Sequence, residues 1–134
     1  MMAGMAFTNV SLGIVHSMAH TLGSYFKVSH GLADAILLPY ILEYNSSNEE
    51  TKKIYENIAE RIGESDLIEV IKELNKKINI PSKLGDIIKD EKLYYNLLDE
   101  MSECALRDGC TKTNPIIPTV EEFKNLFIKV YKGE

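Results

Sequence analysis

Hydrophobic and polar positions alternate with a helical period along nearly the whole of this chain. Apolar residues recur three and four positions apart, which is the spacing of one face of an α-helix. No alternating run of β-branched residues bounded by turns is found, so the pattern gives no support for a strand. The sequence therefore predicts an all-α fold, a helical bundle of about six helices that forms a single domain over residues 1–134.

The first half of the chain predicts three helices. The first covers residues 8–25, and the second covers residues 30–44. Pro39 lies inside the second helix and is expected to kink it or to end its first half, because proline lacks the N–H of a helix interior. Ser47 and Glu50 have the spacing of a capping box, which predicts the start of the third helix.

The second half of the chain predicts three more amphipathic helices. Ser65 is expected to cap the fourth helix, and the fifth is expected to run from Asp90 to Asp108. Thr119 and Glu122 form another capping box, which predicts the start of the last helix. The apolar stripes of the last four predicted helices include Ile54, Ile58, Ile62, Leu74, Ile78, Leu93, Leu98, Met101, Phe123 and Phe127.

The first 26 residues, Met1 to Phe26, contain no charged side chain. Such a run is long enough to cross a bilayer. It also carries several serines, threonines and glycines and two histidines, so we expect a helix buried in protein and no membrane span. It lacks the basic segment and the cleavage site of a signal peptide.

The overall composition excludes two further classes of protein. The formal net charge is −5, which offers no basic surface for nucleic acid. Cys104 and Cys110 are the two cysteines, too few for a disulfide scaffold and without the spacing of a redox pair. We therefore expect a cytoplasmic protein with two free thiols.

The three histidines of the chain, His16, His20 and His30, all fall in or beside this apolar segment. On a helix, His16 and His20 share one face, since they are four residues apart. His30 follows a short break and precedes Gly31. Three converging imidazoles would suit a divalent transition metal, but the spacing does not say which rings bind it. The alternative is that each histidine is a hydrogen-bonded core or capping residue.

Asp34 follows His30 by four residues in an otherwise apolar helix. It could accept a hydrogen bond from an imidazole, or it could be an ordinary exposed acid. The sequence contains no H-E-x-x-H, no G-x-G-x-x-G, no phosphate-binding loop and no G-x-S-x-G. These absences argue against a zinc protease, a nucleotide-phosphate site and a serine hydrolase in these residues.

The histidines belong to a longer motif that runs from Ala3 to Asn45. Its parts are G-M-A-F-x-N, L-G-x-x-H-x-M-A-H, the pair H-G, and L-P-x-x-x-x-x-N. This string resembles the signature region of the iron-containing alcohol dehydrogenases. A weaker likeness continues in IPSKLGDI and in CTKTNP followed by T-x-E-x-F, in the order of the family. Thr21, Ser29 and Ile116 depart from residues that are common in the family.

The resemblance implies both a fold and a set of roles. The chain would form part of the helical C-terminal domain of these enzymes. His16 and His30 would be two of four protein ligands to Fe²⁺, with Zn²⁺ as the alternative ion. His20 would be a catalytic and cofactor-binding residue near the nicotinamide of NAD or NADP and near the alcohol. The reaction would convert alcohols into aldehydes or ketones.

The resemblance also implies partners for this segment. The family has a nucleotide-binding α/β domain and two further metal ligands in a D-x-x-x-H pattern, and neither is found in these 134 residues. We therefore expect the chain to be a C-terminal fragment that is inactive alone, and we expect its first two helices to form a homodimer or a domain swap. The competing hypothesis is a stand-alone helical module that binds a metal or another protein.

Overall fold

The computed structural model describes residues 12–134, and every regular element in that range is helical. The predicted all-α fold is therefore confirmed. The part of the first predicted helix before residue 12, and the G-M-A-F-x-N motif, lie outside the described residues. Residues 12–134 form seven α-helices: α1 Ile14–Phe26, α2 His30–Asn45, α3 Glu49–Arg61, α4 Leu67–Lys77, α5 Glu91–Asn96, α6 Leu98–Arg107 and α7 Val120–Lys132. Two short 3-10 helices cover Leu84–Asp86 and Gly109–Thr113.

Helix α1 is the centre of the bundle, packing against α2 and α6, while α6 packs in turn against α7. Its uncharged sequence explains this position, since apolar and small side chains can be buried on more than one face. The fully buried side chains of the core include Ile14, Met18, Leu22, Ile36, Leu37, Tyr94, Met101, Phe123 and Phe127. Among the described residues, no helix combines the length and the apolar composition needed to cross a bilayer.

Pro39 does not end α2, which runs without interruption from His30 to Asn45. A proline in a helix leaves the carbonyl four residues earlier without its usual N–H donor. In this structure that carbonyl belongs to Ala35, and the side-chain amide of Asn75 on α4 donates to it at 2.7 Å. The prediction that the first half of this helix ends at Pro39 is therefore wrong, because the side chain of Asn75 replaces the missing hydrogen bond.

Two of the predicted helix caps are displaced by one residue. Asn48, not Ser47, caps α3 and accepts a hydrogen bond from the N–H of Thr51 at 3.0 Å. The Ser47 hydroxyl instead donates to the carbonyl of Tyr44 at 2.8 Å. Asp66, not Ser65, caps α4. In both cases the residue that caps the helix stands next to a serine of similar capping strength, and it is the one in the extended position just before the helix.

The capping box of the last helix is confirmed. The Thr119 hydroxyl accepts from the N–H of Glu122 at 3.2 Å, and the Glu122 carboxylate accepts from the N–H of Thr119 at 2.8 Å.

The predicted fifth helix is two helices, which meet at Leu97. The N–H of Leu97 bonds to both Leu93 and Tyr94, so the turn tightens there.

Several predicted apolar stripes lie at the surface. Helix α4 has no buried residue, and its main neighbour in the bundle core is α2. The exposed large hydrophobic side chains on or beside α3, α4 and α5 are Ile54, Ile58, Ile62, Leu74, Ile78 and Leu93. The prediction that Leu93 faces the core is wrong, since it is 44% exposed, while its neighbour Tyr94 is fully buried.

Candidate metal centre

The first two turns of α1 and the first turn of α2 bring the three histidines together. The ring centroids of His16 and His30 are 4.9 Å apart, those of His20 and His30 are 5.3 Å apart, and those of His16 and His20 are 6.0 Å apart. His16 and His20 share a face of α1, as their spacing predicts. The convergence of His30 on them is a contribution of tertiary structure.

The connection between α1 and α2 explains how His30 reaches the other two rings. Lys27 ends α1 in the left-handed region, with φ of 54°, and its N–H bonds to the carbonyl of Gly23 at 3.1 Å. The chain then reverses through three residues, and Ser29 is extended just before α2. His30 is the first residue of α2, directly after this connection.

Asp34 faces two of the histidines. Its Oδ2 lies 3.2 Å from Nε2 of His30 and 3.5 Å from Nε2 of His16. The side chains of His16 and Asp34 are each 24% exposed, so this end of the site is largely shielded from water. Of the two hypotheses for Asp34, the structure supports the carboxylate beside the imidazoles.

Two polar atoms in this part of the site are buried without a hydrogen-bond partner among the described residues: Nδ1 of His16 and Oδ1 of Asp34. Burial lowers the pKa of His16, and the neighbouring His30 and His20 lower it further, although Asp34 opposes them. His16 is therefore neutral at neutral pH, which is the form of imidazole that binds a metal. A buried carboxylate oxygen without a partner, beside two imidazole rings, favours a cation.

His20 has a different partner, Asp108, which follows α6. Nδ1 of His20 and Oδ2 of Asp108 are 2.8 Å apart, and Oδ1 of Asp108 accepts from the N–H of Cys110 at 2.8 Å. Partial burial acts to raise the pKa of Asp108, but the hydrogen bonds from Cys110 and His20 outweigh it, and the net shift is downward. Asp108 is thus an anion that orients the His20 ring.

Donor atoms of His20, Asp108 and Cys110 lie within 4.8 Å of one another, as do those of His16, His30 and Asp34. Sequence reasoning did not identify Asp108 and did not connect Cys110 with the histidines. Asp108 is 88 residues away from His20 along the chain. The nearby sequence signal for Asp108 is the CTKTNP string, which begins two residues later and resembles the family.

The segment that carries Asp108 is fixed against α1 by buried polar contacts. The hydroxyls of Ser17 and Thr111 are 2.6 Å apart. Asn114 accepts from the N–H of Ile14 at 3.2 Å and donates to Asn45 at 2.7 Å. These contacts tie the start of α1, the end of α2 and the loop after α6 into one unit, which keeps Asp108 in place beside His20.

Comparison with known proteins agrees with this architecture. The family model described as "Fe-containing alcohol dehydrogenase family, C-terminal" matches residues 1–131. The chain is 44% identical to the NADPH-dependent butanol dehydrogenase of Clostridium saccharobutylicum, a match that covers 98% of this chain and 36% of that enzyme. It is 40% identical to an alcohol dehydrogenase of Thermococcus barophilus, over 97% of this chain and 34% of that enzyme.

Solved structures give the same result. An iron-containing alcohol dehydrogenase from Thermococcus thioreducens matches 99% of this chain with a TM-score of 0.90 and 40% sequence identity, and the match covers 35% of that chain. A 1,3-propanediol oxidoreductase matches 96% of this chain with a TM-score of 0.81 and 35% identity, again over 35% of the longer chain. The chain therefore belongs to the iron-containing alcohol dehydrogenase family and corresponds to its C-terminal helical domain. It spans about a third of the length of these relatives.

Proposed function

We propose that this chain provides the metal-binding helical part of an alcohol dehydrogenase that interconverts alcohols and aldehydes or ketones with NAD or NADP. The observation that carries the proposal is the convergence of His16, His20 and His30 at one end of the bundle, in a chain of this family. The butanol dehydrogenase relative is named as NADPH-dependent, which supports a dinucleotide-linked reaction on an alcohol.

We assign the metal to His16 and His30, with Fe²⁺ as the first choice and Zn²⁺ as the alternative. Their rings are neighbours, His16 is neutral, and a carboxylate with a buried unpartnered oxygen lies between them, so the residues fit a divalent cation. The remaining ligands of the family pattern, an aspartate and a histidine in D-x-x-x-H, are not among these 134 residues. We propose that other polypeptide supplies them.

We assign proton transfer to His20. When bound, the ion would act as a Lewis acid that makes the alcohol hydroxyl more acidic. Because Nδ1 of His20 faces the anionic Asp108, the Nδ1 tautomer carries the proton there and Nε2 remains free to accept one. His20 is 47% exposed at the side chain, so it is accessible to a cofactor and a substrate. Asp108 is a positioning residue that fixes the tautomer and the orientation of the ring.

The cofactor site requires polypeptide beyond these residues, since the sequence contains no glycine-rich segment that would bind a pyrophosphate. We therefore propose that the 134-residue chain alone oxidises no alcohol, even with ferrous ion and NAD or NADP. Turnover at rates typical of dehydrogenases would refute this. The single-domain organisation and the cytoplasmic location of the two free thiols remain predictions.

A chimaera tests these assignments. This chain would replace the matching segment of the Clostridium saccharobutylicum butanol dehydrogenase, to which it is 44% identical. We expect His16→Ala and His30→Ala to lose the metal, and His20→Ala to keep it while the turnover number falls by about 10²- to 10⁴-fold. Glu69→Gln, on the exposed side of α4, is the control and should change neither metal content nor turnover.

Metal analysis distinguishes this proposal from a three-histidine binding module. In that alternative, all three alanine variants would lose the metal to the same extent. If no variant changed the metal content, the histidines would be packing residues and the proposal would be wrong.

A further inference from the structure

We propose that the carboxylate of Asp34 is a third ligand to the divalent cation that His16 and His30 hold. This inference rests on the proposed function, because it uses the same two histidines. It adds a donor that the four-ligand pattern of the family does not contain. A consequence is that the 134-residue chain should bind a divalent cation by itself, although it lacks a cofactor site.

The distances around Asp34 match donor atoms that share one ion. Oδ2 of Asp34 is 3.2 Å from one imidazole nitrogen and 3.5 Å from the other. Ligand atoms at about 2.1 Å from a tetrahedral metal are about 3.4 Å apart. One donor atom from each of the three side chains lies within 4.8 Å of the other two. Only a small adjustment is therefore needed to place all three around one cation.

The hydrogen bonding of Asp34 favours a cation over a simple bridge between two imidazoles. Its two contacts are longer than the 2.8 Å pair of His20 and Asp108. Its Oδ1 is buried and has no partner among the described residues, which is costly for a carboxylate. A bound cation would compensate the negative charge of the whole carboxylate, including the part on Oδ1.

The second cluster, of His20, Asp108 and Cys110, does not have these features. Both oxygens of Asp108 already have partners at 2.8 Å, namely the His20 ring and the N–H of Cys110. Its geometry is explained without an ion. We therefore expect the carboxylate of Asp34 to contribute to cation binding and that of Asp108 not to do so.

The donor set of the first cluster suits the metal of this family. Two imidazoles and one carboxylate form the facial arrangement that binds Fe²⁺ in many non-haem iron proteins, and the same donor types bind Zn²⁺. Three donors hold a divalent cation more firmly than two. The carboxylate also offsets the positive charge that the ion brings beside the largely buried side chains of His16 and Asp34.

Titration of the 134-residue chain with Co²⁺, an air-stable substitute for Fe²⁺, tests the inference. Calorimetry gives the affinity and stoichiometry, and the visible absorption of bound Co²⁺ reports its ligands. We expect one Co²⁺ per chain. Asp34→Asn should lower the affinity by more than about 100-fold, which is more than the loss expected when a residue that only orients a ligand is removed. The visible spectrum should change as well.

Two matched controls change other aspartates to asparagine. Asp108→Asn removes the carboxylate of the second cluster, and Asp99→Asn removes an exposed partner of Lys124. Both should bind Co²⁺ with unchanged affinity and spectrum. If Asp108→Asn abolishes binding and Asp34→Asn does not, the inference is wrong. If Asp34→Asn lowers the Co²⁺ affinity by only about 10-fold and leaves the spectrum unchanged, Asp34 orients a ligand without binding the ion, and the inference is also wrong.

His16→Ala and His30→Ala separate failure of this inference from failure of the proposed function. If these variants lose Co²⁺ and Asp34→Asn does not, the proposed function stands and the inference fails. If neither histidine variant changes binding, both fail. Circular dichroism checks that each variant is folded, and Asp34→Ser takes the place of Asp34→Asn if the latter is not. A folded wild-type chain that binds no Co²⁺ overturns the inference.

Discussion

Replacing Asn75 by alanine should destabilise the protein because Asn75 supplies the hydrogen bond that Pro39 prevents within α2. The carbonyl of Ala35 accepts from the Asn75 amide at 2.7 Å, across the contact between α2 and α4. Without that amide, the half-buried carbonyl has no donor in the helix. Since α2 carries His30 and Asp34, the same contact supports the helix of the candidate metal centre.

The expected loss of unfolding free energy in Asn75→Ala follows from this one hydrogen bond. Loss of a partner by a half-buried carbonyl costs about 1 to 2 kcal/mol, at the lower end of the range for fully buried groups. For a domain of this size such a loss lowers the melting temperature by about 3 to 8 °C. The cost should disappear in a Pro39→Ala background, because an alanine N–H at position 39 can bond to the carbonyl of Ala35 as in an ordinary helix.

Urea unfolding followed by circular dichroism measures this as a double-mutant cycle. The four proteins are the wild type, Asn75→Ala, Pro39→Ala and the double variant, and we expect a coupling energy of about 1 to 2 kcal/mol. Asn57→Ala, at an exposed position of α3, is the control and should change stability by less than about 0.5 kcal/mol. An Asn75→Ala cost that is equal in both backgrounds would refute the explanation.

Four further predictions concern stability and assembly. Asn114→Ala should cost about 3 to 5 kcal/mol in chemical unfolding, since it leaves several buried groups unpaired; a cost below about 1 kcal/mol would contradict this. Tyr94→Phe should cost about 1 kcal/mol, since the buried hydroxyl donates to the carbonyl of Phe127 at 3.0 Å. The N–H of Thr119 lowers the pKa of Glu122 below its ordinary value of 4.5, so this group stabilises the fold above that pH and the contribution is lost as the pH falls through the folded value. Glu122→Gln should therefore flatten the acid side of the stability profile, and an unchanged profile would exclude the contribution. Small-angle scattering at high concentration should show a dimer, and a strictly monomeric profile would count against the predicted association.

In the part of the chain that the structure describes, most exposed large hydrophobic side chains lie outside the first two helices. The sequence points to the apolar segment of the first two helices. Between residues 12 and 40, only Leu12 is an exposed large hydrophobic side chain, at 36%. The other exposed ones lie on or beside α3, α4 and α5 and at Ile117. Scattering combined with Ile58→Ser would show whether this second surface contributes to association.

Features that depend on near neighbours in the chain could be predicted from the sequence. The capping box of Thr119 and Glu122 and the shared face of His16 and His20 are set by spacings of three and four residues. Serine caps at residues 47 and 65 were wrong by one position. Single-residue precision at a helix end depends on which of two adjacent capping side chains meets the extended backbone.

Features that depend on distant contacts could not be predicted. The continuity of α2 through Pro39 depends on Asn75, which lies on another helix. The orientation of His20 depends on Asp108, and the contact between α1 and the loop after α6 depends on Asn114. In each case a polar side chain satisfies a group far away in the sequence, and no local pattern records such a pairing.

Anomalous diffraction from crystals of the chain grown with Co²⁺ would locate the bound ion directly. We predict one cobalt peak within bonding distance of ring nitrogens of both His16 and His30. A peak placed instead between His20, Asp108 and Cys110, or cobalt bound by neither cluster in a folded chain, would contradict it.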